Sequence, residues 1–248
     1  MKKVRPIQLY WHRVEEIGST NTALKAMGLS GAPEGTVLQA VRQTGGKGRM
    51  GRSFFSPAGG VYVSLLLRSV PYSPLLTVAA ATAAAEAAEA LTGRPVGIKW
   101  VNDLIFEGKK VCGILAERVT APEGDFTVVG FGVNLAPPPG GFPPEIREIA
   151  GALLPAAPAG GADRLARDMI ERFADYAADL PGRGFLPGYR ARSVLTGRTV
   201  IYRQAGEERS AEVLGIDGDG GLLVKTEKGE ETLHSGEVTL HGGFYGRT

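Results

Sequence analysis

The spacing of apolar and polar positions predicts an α+β arrangement over the first three quarters of the chain. Val61, Val63, Leu65 and Leu67 alternate with Tyr62, Ser64 and Arg68, which indicates the two-residue period of a strand. An alanine-rich stretch over 75–91, followed by Gly93, predicts a helix that packs against a sheet through small side chains. We predict further strands at 36–41, 96–101, 104–106, 111–116 and 126–135, and further helices after Ser19 and over 165–180.

After residue 189 the pattern changes to short strands separated by glycine-containing turns. The predicted strands are 198–203, 210–216, 222–226, 230–234 and 238–240. This spacing is typical of a small all-β barrel. We therefore predict two domains, 1–193 and 194–248. The first has a mixed, largely antiparallel sheet, because residues 107–108 form a hairpin turn between two of its strands.

Composition and charge limit the classes of function. The chain has 248 residues with 28 Lys and Arg against 26 Asp and Glu, and this near-neutral balance gives no case for nucleic acid as a main partner. A single cysteine, Cys112, excludes an intrachain disulfide and fits a reducing compartment. The first residues lack the apolar stretch of a secretory signal, and prolines interrupt the uncharged run 69–85. We expect a cytoplasmic protein with no membrane or nucleic-acid partner.

A glycine-rich, cationic loop at 45–52 follows the strand 36–41. Its glycines allow backbone N–H groups to approach phosphate oxygens, while Lys47, Arg49 and Arg52 supply positive charge. We predict a phosphate-binding loop that becomes ordered when an anion arrives, because its cations otherwise have nothing to neutralise. Taken alone, a solvated basic turn explains the segment equally well.

Three other segments combine polar or small residues with apolar strands. Lys99–Asp103 places a cation, an amide and a carboxylate at a strand end, where they could face a ligand or Mg²⁺. Strand parity sends Lys109 and Lys110 to opposite faces, so that one of them can point into a site. Gly130 and Gly132 interrupt a strand otherwise suited to burial, which indicates a close approach to the backbone. A surface turn and two solvated hairpin lysines remain the plainer alternatives for the first two segments.

Taken in order, these segments resemble the biotin protein ligases over nearly the whole chain. The motifs are Ser19-Thr20-Asn21, Gln43 with GxGRxGR at 46–52, KWxNDL at 99–104, GKKxxGILxE at 108–117 and GxGxN at 130–134. The resemblance implies a class II synthetase-like mixed sheet with helices and a C-terminal SH3-like barrel. It also implies the reaction: biotin is activated with ATP and Mg²⁺ to biotinyl-5′-AMP, pyrophosphate is released, and biotin is transferred to one lysine of a biotin carboxyl carrier protein.

The resemblance implies which residues bind biotin. Ser19, Thr20 and Gln43 would hydrogen-bond its ureido ring, with Asn21 alongside, and the glycine-rich loop would close over it. The biotin tail would lie against the backbone at two glycines. The implied biotin set is completed by Lys47, Gly48, Arg49, Lys110, Gly130 and Gly132.

Two of these residues would be catalytic. Lys110 takes the place of the family's essential lysine near the biotin carboxylate and the α-phosphate, and Arg49 that of the arginine which contacts and retains the adenylate. The implied nucleotide-binding residues are Arg49, Arg52, Lys99, Asn102, Asp103 and Asn134. No metal site built from protein groups alone is expected; Mg²⁺ would come with ATP, near Asp103 and Asn134.

The chain departs from the family pattern at several positions. Lys47 and Val101 stand where many members have arginine and proline, and Cys112 where alanine is common. No tryptophan lies in 137–154 to cover an adenine. Lys47 keeps the positive charge but loses the bidentate geometry of arginine.

Alternatives to this interpretation are a lipoate-type protein ligase and a catalytically inactive, biotin-binding regulator. Members that also act as repressors carry a DNA-binding module before the Ser-Thr-Asn motif, and here only 18 residues precede it. We expect an enzyme without repressor function. Either a monomer or a homodimer is compatible with the sequence.

Overall fold

A seven-stranded sheet forms the larger part of the computed structural model, which describes residues 5–204 and 207–240. The strands lie in the order β1-β2-β3-β7-β6-β5-β4. Neighbouring strands are antiparallel except β1 and β2, which are parallel, so the sheet is mixed and largely antiparallel as predicted. The bounds are β1 Tyr10–Ile17, β2 Thr36–Gln43, β3 Val61–Leu67, β4 Gly97–Lys99, β5 Asp103–Phe106, β6 Lys109–Val119 and β7 Phe126–Val133.

Helices cover both faces of this sheet. The helices are α1 Thr20–Leu29, α2 Leu75–Thr92, α3 Gly161–Ala178 and the short α4 Leu186–Ala191. Leu65 of β3 packs into the main core with α2 and α3, whereas its neighbour Leu66 packs with Leu24 of α1, because successive side chains point to opposite faces. Helix α2 is long and apolar enough to cross a membrane, but 67% of it is buried inside the protein. It is the central core helix, as its alanine content predicts.

A second sheet of five strands follows α4 and confirms the small C-terminal β domain. Its strands are β8 Thr199–Gln204, β9 Glu207–Ile216, β10 Leu222–Thr226, β11 Gly229–Leu233 and β12 Val238–Leu240, in the order β11-β10-β9-β8-β12. Trp100 Nε1 donates to Gly220 O at 2.9 Å, and Arg190 Nε donates to Ile216 O at 2.9 Å, so polar contacts join the two sheets. The boundary that we predict, near residue 193, lies between α4 and β8; residues 1–4 and 241–248 of the two predicted domains are outside the described residues.

Strand β1 has no counterpart in the sequence-based prediction. Its partly buried residues, Trp11, Val14 and Ile17, recur every three positions, which is not the period of a strand, and the rest of it is charged or exposed. The strand forms because it lies at the sheet edge and pairs along β2, ending with Ile17 opposite Gln43. This pairing brings the start of α1 next to the end of β2.

Candidate functional site

A cavity of about 310 Å³ lies on the face of the large sheet that carries α1. Its walls come from the start of α1, the glycine-rich loop, the ends of β2 and of β4–β7, the segment 142–150 and the turn before β12. Every predicted site residue lines this cavity: Ser19, Thr20, Asn21, Gln43, Lys47, Gly48, Arg49, Arg52, Lys99, Asn102, Asp103, Lys110, Gly130, Gly132 and Asn134. The fold therefore gathers motifs that are far apart in the sequence into one place.

Uncharged hydrogen-bonding groups cluster around Thr20 and Gln43 at one end of the cavity, while Lys47 of the glycine-rich loop interacts with Glu117 behind them. Ser19 is the N-cap of α1, and the helix begins directly after it, as predicted. Gln43 Oε1 accepts hydrogen bonds from Thr20 N at 2.8 Å and Thr20 Oγ1 at 3.1 Å, and Gln43 Nε2 donates to Ser56 Oγ at 2.9 Å. The carboxamide orientation is therefore fixed by protein groups before any ligand binds.

Behind this end lies a buried polar network that sequence analysis missed. Ser64 Oγ lies 2.8 Å from Thr20 Oγ1 and 2.7 Å from Asn21 Oδ1. Asn21 Nδ2 donates to Glu117 Oε2 at 2.9 Å, and Lys25 Nζ lies 2.6 Å from Glu117 Oε1. Ser64 could not be identified from the sequence, because a serine on a strand carries no functional signal by itself. Its role depends on α1, which covers it.

Both predicted glycines of β7 are approached by side chains of the protein. A Cβ atom at Gly130 would collide with the Asn21 side-chain oxygen, and one at Gly132 would lie 2.7 Å from the Phe54 ring. Gly113 of β6, which pairs with Gly132, lies under the same ring. The close approach that the glycines predict is therefore made by Asn21 and Phe54. Because Gly113, Gly130 and Gly132 have no side chains, the sheet itself forms the floor of the cavity here.

A β-bulge determines which lysine enters the cavity. Ile105 pairs with Lys110, but Leu104 pairs with Cys112, so Val111 is the extra residue on β6. The bulge turns Lys110 to the face of Gly113, where a Cβ would lie 3.5 Å from Lys110 Nζ. Lys109 instead donates to Arg147 O at 2.9 Å and does not line the cavity.

The other end of the cavity is rich in charge. Lys110 Nζ lies 2.7 Å from Asp103 Oδ1, which also accepts from Asn102 Nδ2 at 3.0 Å. Arg49 Nη1 donates to Asn102 Oδ1 at 3.0 Å. This chain of contacts holds the arginine of the glycine-rich loop beside the lysine of β6.

Lys99 adds a buried cation at the same end. Its side chain comes from β4 and the residue is only 4% exposed. Burial lowers the pKa of Lys99 to about 8, although Asp103 and Glu237 nearby favour the charged form. This lysine therefore titrates close to physiological pH.

The second sheet also contributes to the cavity, through the turn before β12. Arg52 Nη1 lies 2.8 Å from Glu237 Oε1, and Arg49 Nη2 lies 3.4 Å from Gly236 O. The expectation that the loop cations have nothing to neutralise without a ligand is therefore wrong for Arg52, since Glu237 already provides a countercharge. Sequence analysis assigned no role to this turn, whose place beside the loop depends on how the sheets pack.

An apolar wall completes the cavity. Phe142, Ile146, Ile149 and Ala150 line it, in a segment for which we predict neither a strand nor a long helix. Backbone bonds attach this segment to β6: Lys110 N donates to Ile149 O, and Gly151 N donates to Lys110 O, both at 2.8 Å.

Carboxylates are sparse in the cavity. In the part of the chain that the structure describes, no group of three or more His, Cys, Asp or Glu side chains could hold a metal ion. Asp103 contacts Lys110, and Asn134 Nδ2 donates to Gly151 O at 2.9 Å. A cation bound here would need most of its ligands from another molecule.

Comparisons with known proteins agree on one family. Residues 14–134 match the model of the biotin/lipoate A/B protein ligase family, and residues 196–240 match the biotin protein ligase C-terminal domain. The bifunctional ligase/repressor BirA of Bacillus subtilis is 33% identical over 94% of this chain and 74% of its own length. The biotin--[acetyl-CoA-carboxylase] ligase of Paracoccus denitrificans is 32% identical over 90% of this chain and 98% of its own length.

A solved structure gives the same result for the fold. The biotin protein ligase from Aquifex aeolicus in complex with biotin and ATP superimposes with a TM-score of 0.80 at 28% identity, covering 93% of this chain and 98% of that one. Sequence and structure therefore agree over both sheets. The chain belongs to the biotin protein ligase family.

Proposed function

We propose that this chain is a biotin protein ligase that forms biotinyl-5′-AMP from biotin and ATP and transfers biotin to a lysine of a biotin carboxyl carrier protein. The observation that carries the proposal is one continuous cavity with two chemically different ends. Thr20 and Gln43 at the first end suit an uncharged ring with N–H and C=O groups. Lys99, Lys110 and Arg49 at the second end suit phosphates and a carboxylate.

The first reaction forms a bond between a biotin carboxylate oxygen and the α-phosphorus of ATP, while the bond to the pyrophosphate oxygen breaks. Two anionic groups must come together, so the contribution of the protein is charge neutralisation and positioning. We assign this role to Lys110, whose ammonium is directed into the cavity by the bulge in β6. In the second reaction the acceptor lysine amine attacks the acyl carbon, and AMP leaves.

We assign the remaining groups by their positions along the cavity. Arg49 would hold the adenylate, and the apolar wall of Phe142 and Ile146 would cover the base in place of a tryptophan. Mg²⁺ would bind mainly to the phosphates, with Asp103 and Asn134 as its protein oxygen donors. This donor set fits Mg²⁺, which is usually held by one or two carboxylates together with substrate phosphates.

A lipoate-type ligase is the alternative to be tested. A dithiolane ring has no N–H or C=O groups to pair with Thr20 and Gln43, so it would gain no hydrogen bonds from them. We further propose that the enzyme is cytoplasmic, where ATP is available, and that its protein partner is the carrier protein. The relatives in the family fit this proposal.

The direct test is transfer of label. The protein is incubated with labelled biotin, MgATP and a carrier domain, with a carrier lacking its acceptor lysine as the control, and pyrophosphate is measured in parallel. We expect label on the carrier only when the lysine is present, and no reduction by excess lipoate. Labelling suppressed by lipoate would favour the alternative, and no pyrophosphate release would identify an inactive biotin-binding protein.

A further inference from the structure

A partly buried carboxylate outside the cavity is linked to Thr20 by hydrogen bonds. Glu117 lies on β6 and does not line the cavity. Asn21 and Lys25, one helical turn apart on α1, hold its two oxygens at 2.9 Å and 2.6 Å. Burial alone would raise the pKa of Glu117, but the hydrogen bonds from Lys25 and Asn21 outweigh this and the pKa is lowered. The carboxylate is therefore a stable, ionised acceptor at neutral pH.

Glu117 and the backbone carbonyl of Leu115 together determine the orientation of the Asn21 amide. An ionised carboxylate can only accept, so the NH₂ group of Asn21 faces Glu117 and donates also to Leu115 O at 3.2 Å. The Asn21 oxygen must then face Ser64 and lie over Gly130, where no side chain can be accommodated. Glu117 and Gly130 thus fix the same amide from two sides.

The direction of the next hydrogen bonds follows from the number of protons. Ser64 has one hydroxyl proton, and the Asn21 oxygen cannot donate, so Ser64 donates to Asn21. The Thr20 hydroxyl has one proton and two protein acceptors within reach of it, Ser64 Oγ at 2.8 Å and Gln43 Oε1 at 3.1 Å. While that proton is used by either of these acceptors, Thr20 Oγ1 presents lone pairs to the cavity.

We propose that Glu117, supported by Lys25, is a positioning residue that makes Thr20 a hydrogen-bond acceptor and so selects a ligand with an N–H donor at this end of the cavity. The inference rests on the proposed function, because the cyclic urea of biotin supplies that donor. It goes further by assigning the selection to a residue that does not touch the ligand. An analogue with a methylated ring nitrogen lacks the donor and should be rejected.

The test compares Glu117→Ala and Glu117→Gln with the parent protein. Pyrophosphate release is measured with biotin and with biotins methylated at either ureido nitrogen. We expect Glu117→Ala to raise the KM for biotin on the order of tenfold. The KM for ATP should stay within about twofold, because the phosphate end of the cavity is unchanged, and the preference for biotin over one of its N-methyl analogues should fall. Glu117→Gln should recover part of the preference, because its oxygen can still accept from Asn21.

The matched control is Asp125→Asn, which removes a carboxylate from another ion pair of the same sheet, with Arg118, away from the cavity. It should leave both KM values unchanged. The proposal is overturned if Glu117→Ala keeps the parent preference for biotin over both analogues, or if the two KM values rise together with a loss of thermal stability. A parent protein that releases no pyrophosphate with biotin would instead contradict the proposed function itself.

Discussion

At the residue scale, the same side-chain type has different uses at adjacent positions. Lys109 and Lys110 cannot be distinguished by composition, yet only Lys110 lines the cavity. Strand parity predicts that they face opposite sides, but it does not tell which of them faces the site. That choice depends on the bulge at Val111, which sequence reasoning cannot locate because it arises from the pairing of β5 with β6.

The two lysines therefore form a matched pair of variants. Lys110→Ala should reduce pyrophosphate release on the order of a hundredfold, equivalent to about 3 kcal/mol for one electrostatic donor removed from a reaction centre. Lys109→Ala should have little effect, because its ammonium donates to the backbone carbonyl of Arg147 at the protein surface, outside the cavity. Rates are compared at saturating biotin and ATP. A slower Lys109→Ala, or two unaffected variants, would contradict the assignment of Lys110.

Lys99 gives a prediction for the dependence of ATP binding on pH. Its pKa of about 8 means that the free enzyme loses this positive charge as the pH rises above that value. We expect kcat/KM for ATP to fall on the alkaline side, and the fall should be absent in Lys99→Arg, since arginine stays charged. The measurement is a profile between about pH 7 and pH 10 for both proteins. If kcat/KM for ATP falls at the same alkaline pH in Lys99→Arg, the titrating group is not Lys99.

At the scale of elements, the segments with strong local signals were predicted well and those formed by tertiary pairing were not. The alanine content of α2 and the Glu107–Gly108 turn between β5 and β6 are local features, and both are present in the structure. Strand β1 depends on its pairing with β2 and was missed. The same holds for the cavity. Its motif residues have local sequence signals and are predicted, whereas the apolar wall and Ser64 join the site only through tertiary packing and are not.

The glycine-rich loop is the element whose function is most open to direct test. Its internal bonds include Gly48 N to Arg52 O at 2.7 Å and Arg52 N to Arg49 O at 3.2 Å. If Arg49 retains the adenylate, Arg49→Ala should still release pyrophosphate but lose biotinyl-5′-AMP to solvent. The expected readout is labelling of unrelated lysines on bystander proteins, which the parent should not cause. Retention of the adenylate equal to that of the parent would show that other groups hold it.

At the scale of the whole molecule, the two sheets form one functional unit. Arg52 of the loop pairs with Glu237 in the turn before β12, and Glu237 also lies near Lys99 of β4. The Arg52 and Glu237 side chains are 58% and 50% exposed, so their ion pair contributes little to stability. Its effect should be seen in the position of the loop and in the charge of Lys99.

Replacing Glu237 by Gln separates these effects from stability. Without the carboxylate, Arg52 loses its partner, and amide hydrogens of residues 46–52 should exchange faster in the absence of ligand. The pKa of Lys99 should fall, because Glu237 favours its charged form, so the alkaline loss of ATP binding should begin at lower pH. Glu208→Gln is the control, since it removes an exposed ion-pair partner of Arg203 within the second sheet. Both variants should unfold at nearly the same temperature as the parent. If hydrogen exchange of the loop and the pH profile of Glu237→Gln also match those of the parent, the second sheet does not act on the cavity through this contact.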